Sequence, residues 1–421
     1  MKIISFIIAL ITLSPLCAEL PESPFAIYLT WHADPTTSMN INLIEEGEFR
    51  PVSIEYRSDK DKKWKKSTST SHFFEAPYSV YSFELSHLRS DTSYRFRING
   101  YAVEHLFSTM PKTLKKPLSF VVGGDINLSS TSAPLFEETN QQIAIRRPSF
   151  AALGGDLASS GSSSKLDEED DKRWFAWFSI WYKTMITPEG RVIPLITSIG
   201  NHDVDGGHEQ PPEKARLFYK FFRKDGERGY LSYHFGSYLS LYLLDSNHTT
   251  PAKGLQSLWM ASHLYLDRKF PHKIAVYHIS AYPPVRSNGY EYGEYIRRDW
   301  VPIFDMFRLH LAFEHHDHAY KRTFPITGGS FDPYGVVYVG NGPWGKNPRE
   351  PKNVQKGSPL FEKTAQARQF CEVTLHAKRR DVQAIAFDGT VIDSFSQVTD
   401  DQLAKRLAEH QRRIRKSRPK H

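Results

Sequence analysis

Disulfides can contribute nothing to holding this chain together. It has two cysteines, Cys17 and Cys371, and the first lies in a segment that reads as a removable leader. A single thiol then remains, and stability has to come from the core. Long hydrophobic runs are also missing. The one candidate, MKIISFIIALITLSPLCA, has one Lys, an apolar run of roughly a dozen residues, and small residues near Ala18. It is too short to span a bilayer and has the layout of a cleavable secretory signal over residues 1–18. Secretion or delivery to the periplasm is therefore expected, with no transmembrane anchor left in the mature chain. Lipid attachment at Cys17 competes with this reading, but Leu16 is bulky where such sites usually carry a small residue. Excess charge is lacking as well. The formal +7 is matched by Lys405 to Lys420, where eight Lys or Arg stand against one Glu, so the rest sums to zero. That argues against a general polyanion binder, and no specific nucleic-acid binding is expected. The basic tail at 398–421 reads as a solvated helix end.

What is present is an ordinary globular composition, 40% hydrophobic and 13% aromatic over 421 residues, with room for two domains. Residues 24–112 hold short alternating stretches (AIYLTW, SMNINLI, VSIEYR, SVYSFEL, SYRFRING) separated by turn residues. These predict a small all-β sandwich. LSHLRSDTSYRFRI is similar to the corner of a fibronectin type III domain, which implies a back-bonded Tyr94 and a Trp31 packed in the sandwich core. A Pro- and Lys-bearing linker follows. Over 115–397, strands alternate with helical stretches, as in a layered α/β domain. Trp174, Phe178, Trp181 and Met185 fall at helical spacing and predict a core-facing stripe. Just before them SSGSSSKLDEEDD reads as an exposed insertion near Asp156. YLSYHFGSYLSLYLLDS suggests a hairpin, and FCEVTLHAKRRDVQAIAFDGTVIDSF the closing strands. There are no internal repeats.

Five polar clusters each follow an apolar run directly. LSFVVGGD ends at Asp125 and SFAALGGD at Asp156, VIPLITSIGNHD passes through Asn201 and His202, KIAVYH ends at His278, and LHLAFEHHDH ends at His316, Asp317 and His318. Apolar runs of this length read as buried strands, and ligand sites in open α/β sheets lie beyond the carboxyl ends of such strands. Two Asp, one Asn and at least three His should therefore converge on one crevice, an inventory rich enough for two metal ions. His316 and His318 are two apart, which in an extended segment would point both to the metals and Asp317 away. Singly each cluster is weak, since a Gly-Asp pair is commonly a turn and a lone His commonly a core residue. Their joint occurrence in this order has no structural reason.

The ordered set Gly-Asp, Gly-Asp, Gly-Asn-His-Asp, a strand-terminal His and His-x-His resembles the calcineurin-like metallophosphoesterases and, more narrowly, the purple acid phosphatases. HDHAYKRT, from His316 to Thr323, and DGTVIDSF fit the same family. The resemblance implies a four-layer sandwich of two mixed sheets flanked by helices, preceded by the β-sandwich. It implies two metal ions: Asp125 on the first, Asp156 bridging, Asn201, His278 and His316 on the second, and His318 on the first. His202 would contact the phosphoryl group and help protonate the leaving oxygen. The implied activity is hydrolysis of phosphate monoesters, on a phosphorylated small molecule or protein, by a metal-bound hydroxide. Phosphodiester or nucleotide hydrolysis, or a surface binding protein that keeps the fold, are the alternatives.

Three positions depart from the family pattern. Ser159 stands where purple acid phosphatases place a tyrosine on ferric iron, and Asn127 where other members place a histidine. His315 replaces the glycine before the paired histidines. The missing phenolate implies divalent ions at both sites (Fe, Mn or Zn), with Asn127 or water filling the gap, and His315 brings bulk beside the site.

Overall fold

The computed structural model describes residues 23–161, 171–223, 226, 228–352 and 360–417. The leader expected at 1–18 and most of the Ser-rich acidic insertion lie outside the described residues. Alternating residues in the first hundred positions form strands β1 (Ala26–Thr30), β2 (Met39–Glu46), β3 (Ser53–Ser58), β4 (Lys65–Thr68), β5 (Ser71–Glu75), β6 (Tyr78–Leu85), β7 (Ser93–Ile98) and β8 (Glu104–Ser108). They make two antiparallel sheets, ordered β1-β2-β6-β5 and β4-β3-β7-β8, an all-β unit consistent with a fibronectin type III-like fold. The Tyr94 hydroxyl accepts the Arg89 N–H at 2.8 Å, as expected of the corner tyrosine. Trp31 requires a correction. It is fully buried, but its ring meets Phe150 and Phe235 edge-on at 5.9 and 5.7 Å. Both partners lie outside the sandwich, because Trp31 sits just past the end of β1 where the second unit covers it.

The second unit alternates strands and helices: β9 (Leu118–Gly123), α1 (Ala133–Ala144), β10 (Ala151–Gly154), α2 (Asp171–Thr184), β11 (Leu195–Ser198), α3 (Arg216–Phe222), β12 (Leu231–Phe235), β13 (Leu239–Leu243), α4 (Leu255–Leu266), β14 (His272–Val276), α5 (Glu291–Asp299), α6 (Val301–Met306), β15 (Leu311–Glu314), β16 (Tyr320–Thr323), β17 (Ile326–Thr327), β18 (Ser330–Phe331), β19 (Val337–Asn341), β20 (Phe361–Ala365), β21 (Gln369–His376), β22 (Arg379–Ala386), β23 (Val391–Val398) and α7 (Asp400–Ser417). One mixed sheet runs β11-β10-β9-β21-β22-β23 and the other β12-β13-β14-β15-β19-β16-β20. In the second sheet the side chains divide by the two-residue period of a strand. Leu241, Leu243, Ile274, Val276, Leu311 and Phe313 face the first sheet, while Tyr242, Ala275, Ala312 and Tyr338 face a helical layer carrying Met260, Leu264, Ile296, Trp300 and Phe304. Helix, sheet, sheet and helix thus stack in four layers. The stripe on α2 is buried at Trp174, Trp177, Phe178 and Trp181. It also meets the β-sandwich, since Tyr28 of β1 stacks on Phe178 at 4.3 Å. One hydrophobic core consequently crosses both units.

Two buried histidines tie stability to pH. His105 lies within 2.7 Å of the Tyr182 hydroxyl, and His272 is fully buried between the His376 carbonyl at 2.8 Å and the Arg380 guanidinium at 3.1 Å. Burial holds His105 down to about 4, and burial with Arg380 holds His272 down to about 3. An unfolded histidine titrates near 6.5. The stabilising effect is therefore complete above that value and is lost as pH falls from about 6.5 toward 3–4. The slope is at most about 1.4 kcal/mol per pH unit for each residue. Thermal midpoints measured in chelator should drop steadily between pH 7 and pH 5, and a flat profile would contradict this.

Candidate metal centre

The five clusters of the sequence meet beyond the carboxyl ends of β9, β10, β11, β14 and β15. Asp125 and Asp156 follow Gly-Gly pairs, Asn201 to Asp203 form one turn of 3-10 helix, and His278 stands two residues past β14. Asp125, Asp156, Asn201, His278, His316 and His318 are all buried. Backbone direction, rather than side-chain length, brings them together. Asp125, Asn127, Asp156, Ser159, His316 and His318 all take left-handed φ values between 48° and 69°. Each such residue costs on the order of 1 kcal/mol, and clustering of this kind marks sites where the surroundings impose the conformation.

The paired histidines are not in an extended segment, contrary to the sequence expectation. The His316 N–H donates to Asp125 Oδ2 at 2.9 Å, which turns the chain and sends the two rings to different places. His316 Nδ1 lies 3.0 Å from His278 Nε2, whereas His318 Nε2 lies 3.2 Å from Asp125 Oδ1. Two donor groups result, one of Asp156, His278 and His316 and one of Asp125, Asp156 and His318, with donor atoms in each within 4.8 Å of one another. Asp156 belongs to both. Asp317 points away and pairs with Arg286 at 2.6 Å.

The donors fit a cation better than they fit each other. His278 Nδ1 lies 2.9 Å from the Gly154 carbonyl and gives its proton there. Burial disfavours charge on this ring, but Asp156 and Asp125 outweigh it and raise the imidazole to about 9, so without an ion Nε2 holds a second proton that a bound cation would displace. Around Nε2 stand Asn201 Oδ1 at 3.0 Å, His316 Nδ1 at 3.0 Å and Asp156 Oδ2 at 3.3 Å. One imidazole proton cannot satisfy three acceptors, while a metal ion satisfies all four atoms. Burial alone would raise the Asp156 carboxyl, but His278 and His202 hold it well below the usual range. Burial raises Asp125 too, and His318 more than offsets it. Both carboxylates are therefore charged, and burial keeps His316 neutral, as ligation requires.

His202 does not join either group. Its N–H donates to Asp156 Oδ1 at 2.7 Å, and its ring, 38% exposed, has Nε2 4.0 Å from Asp156 Oδ2. The ring thus stands at the rim, within reach of a ligand. At the family's tyrosine position the Ser159 hydroxyl donates to Asn127 Oδ1 at 2.6 Å, and Asn127 Nδ2 lies 3.4 Å from Asp156 Oδ2. The amide oxygen of Asn127 is thereby engaged by Ser159 instead of facing the centre. His315 does not crowd the donors. Its ring fits a slot left by Gly154, where a Cβ would fall 1.9 Å from ring atoms, and its Nδ1 lies 2.8 Å from the Tyr277 carbonyl.

Three contributors had no signal that the sequence reading used. Asp203 accepts the N–H groups of Asp156, Leu157 and Gly200 at 2.8, 2.8 and 3.1 Å, and burial beside Asp156 raises its carboxyl to about 7. Its place in Gly-Asn-His-Asp could have marked it. Tyr290 has its hydroxyl 3.1 Å from His316 Nε2, and no motif surrounds it. Fully buried Lys321 donates to fully buried Glu314, whose Oε1 also accepts the Tyr277 hydroxyl at 2.7 Å and the Ala281 N–H at 2.8 Å. This pair brackets the segment carrying His316 and His318. Lys321→Met should cost roughly 3–5 kcal/mol by stranding a buried carboxylate. Adding Glu314→Gln should recover much of that loss, read as denaturant midpoints.

Comparison with known proteins bears on the fold that carries these residues. Residues 118–320 match the calcineurin-like phosphoesterase family, a span that runs from β9 to β16 and holds every donor named above. The chain carries a calcineurin-like metallophosphoesterase domain. Purple acid phosphatase 18 of Arabidopsis thaliana is 22% identical to it over 336 residues, covering 76% of this chain and 71% of the relative. Among solved structures, a purple acid phosphatase from yellow lupin (Lupinus luteus) seeds superposes with a TM-score of 0.70 at 15% identity, over 88% of this chain and 73% of that one. PhoD superposes with a TM-score of 0.69 at 12% identity, over 92% of both chains. At such identities the superpositions speak to the fold of the metallophosphoesterase domain and its front sandwich, not to the substrate.

Proposed function

We propose that this protein is an exported metal-dependent phosphatase that hydrolyses phosphate monoesters at a binuclear centre. The observation that carries the reading is the membership of Asp156 in both donor groups, which is what a bridging ligand requires. Asp125 and His318 would complete one site, and Asn201, His278 and His316 the other. Bound there, the two ions would supply an activated water and neutralise phosphoryl charge. The chain's own part is positioning. Asp203 fixes the Asp156 turn through backbone N–H groups, Tyr290 orients His316, and the rim imidazole of His202 is placed to donate a proton to the departing oxygen. Export rests on the N-terminal leader signature. No helix among the described residues is long and apolar enough to cross a membrane.

The test is hydrolysis of nitrophenyl phosphate against bis-nitrophenyl phosphate, with metal counted in the same preparation. Two ions per chain and preference for the monoester support the reading. Preference for the diester moves the assignment to a phosphodiesterase, and turnover of neither sinks it. Because Ser159 leaves no phenolate beside Asp125, divalent Fe, Mn or Zn is proposed at both positions. Protein purified with iron should be colourless, and a purple visible band would overturn this.

A further inference from the structure

The loop after β19 is pinned across the strand ends by three backbone contacts. Trp344 N–H donates to the Gly124 carbonyl at 2.9 Å, Gly345 N–H to the Asp125 carbonyl at 3.3 Å, and Arg349 N–H to the His318 carbonyl at 2.7 Å. Gly342 permits this approach, since a Cβ there would fall 1.9 Å from Asp125 Oδ2. The loop thereby delivers Lys346 and Arg349 to the rim of the metal centre. Lys346 is half-buried and Arg349 exposed, and neither side chain has a hydrogen bond or ion pair with another described residue. Burial disfavours both charges, and the anions that favour them include Asp125 and Asp156. Arg286, which Arg349 also senses, is already engaged with Asp317 and the His316 carbonyl.

Charge counting shows what this arrangement lacks. Two divalent ions with the carboxylates of Asp125 and Asp156 and one hydroxide leave a single positive charge, so one phosphate-monoester dianion leaves one negative charge over. Lys346 and Arg349 bring two positive charges beside the occupied centre, one more than that dianion uses, and neither side chain is paired among the described residues; guanidinium and ammonium groups in that position are phosphate ligands. We propose that Lys346 and Arg349 form a second anion subsite, selecting phosphate esters that carry a further phosphoryl group beside the scissile one. The proposal rests on the phosphatase reading above and names its substrate class.

The test compares kcat/KM for ADP with AMP and for fructose 1,6-bisphosphate with fructose 6-phosphate. Each ratio is measured in the wild type and in the Lys346→Gln, Arg349→Gln double variant. At least a tenfold fall in either ratio is expected. A fall for the nucleotides alone identifies a phosphoanhydride neighbour, and a fall for the sugars alone a separate phosphate on the same scaffold. Unchanged ratios overturn the proposal. A second readout is independent of turnover: calorimetric titration of the metal-loaded protein with methylenediphosphonate and with methylphosphonate. The wild type should bind the diphosphonate at least tenfold more tightly, and the double variant should lose that preference. If nothing is hydrolysed but the preference is present, the catalytic reading fails and the subsite stands. If the wild type binds both phosphonates equally, the subsite falls whatever the turnover.

Discussion

An Asp156→Ala variant should hydrolyse no nitrophenyl phosphate above background and should purify with fewer than two ions. The expectation follows from the doubled membership of this carboxylate: its Oδ2 lies 3.3 Å from His278 Nε2, and it shares the second donor group with Asp125 and His318. Without it, Asn201, His278 and His316 are three neutral ligands facing a dication. His202→Ala makes the contrast. That ring lies in neither donor group, so metal content should be retained while kcat falls by about 10²–10⁴-fold, the range for a missing proton donor. Equal metal loss in both variants would refute the division of roles.

Deleting the β-sandwich, residues 24–112, should leave a chain that aggregates instead of a smaller working enzyme. Tyr28 packs on Phe178, Phe221 and Phe222, Phe73 on Phe221, Tyr78 on Phe175, and Trp31 on Phe150 and Phe235. Hydrogen bonds reinforce the seam, from the Tyr28 hydroxyl to the Phe221 carbonyl at 3.1 Å and from the Tyr233 hydroxyl to the Trp31 carbonyl at 2.7 Å. Burying a large aromatic side chain contributes about 1.5–3 kcal/mol. Baring several at once exceeds the net stability of roughly 5–15 kcal/mol typical of a domain and leaves an apolar patch open to self-association. Size-exclusion chromatography of the truncated chain would decide. A monodisperse monomer with full activity would show the front unit to be dispensable, as an independent adhesion arm would be.

The sequence made the strand-end donors legible because each follows a run of apolar residues and, in most cases, a glycine or polar break. The core stripe of α2 was legible for the same kind of reason, since Trp174, Phe178 and Trp181 repeat at the helical period. Local pattern could not convey what distant segments impose. The left-handed turn at His316 depends on Asp125, 191 positions earlier. The destination of Trp31 depends on Phe150 and Phe235, which no period in the first unit announces. The Lys321–Glu314 pair was hidden by the usual expectation that charged residues lie outside. The roles of Asp203 and Tyr290 exist only once the strand ends have met.

The imidazole of His315 sits where Gly154 lacks a side chain, directly behind the turn that aims Asp156. The two positions are therefore locked into one choice: an alanine at 154 demands a small residue at 315, and a histidine at 315 forbids anything larger than hydrogen at 154. In descendants of this chain such sites must change together or not at all, whatever happens to the ligands in front of them.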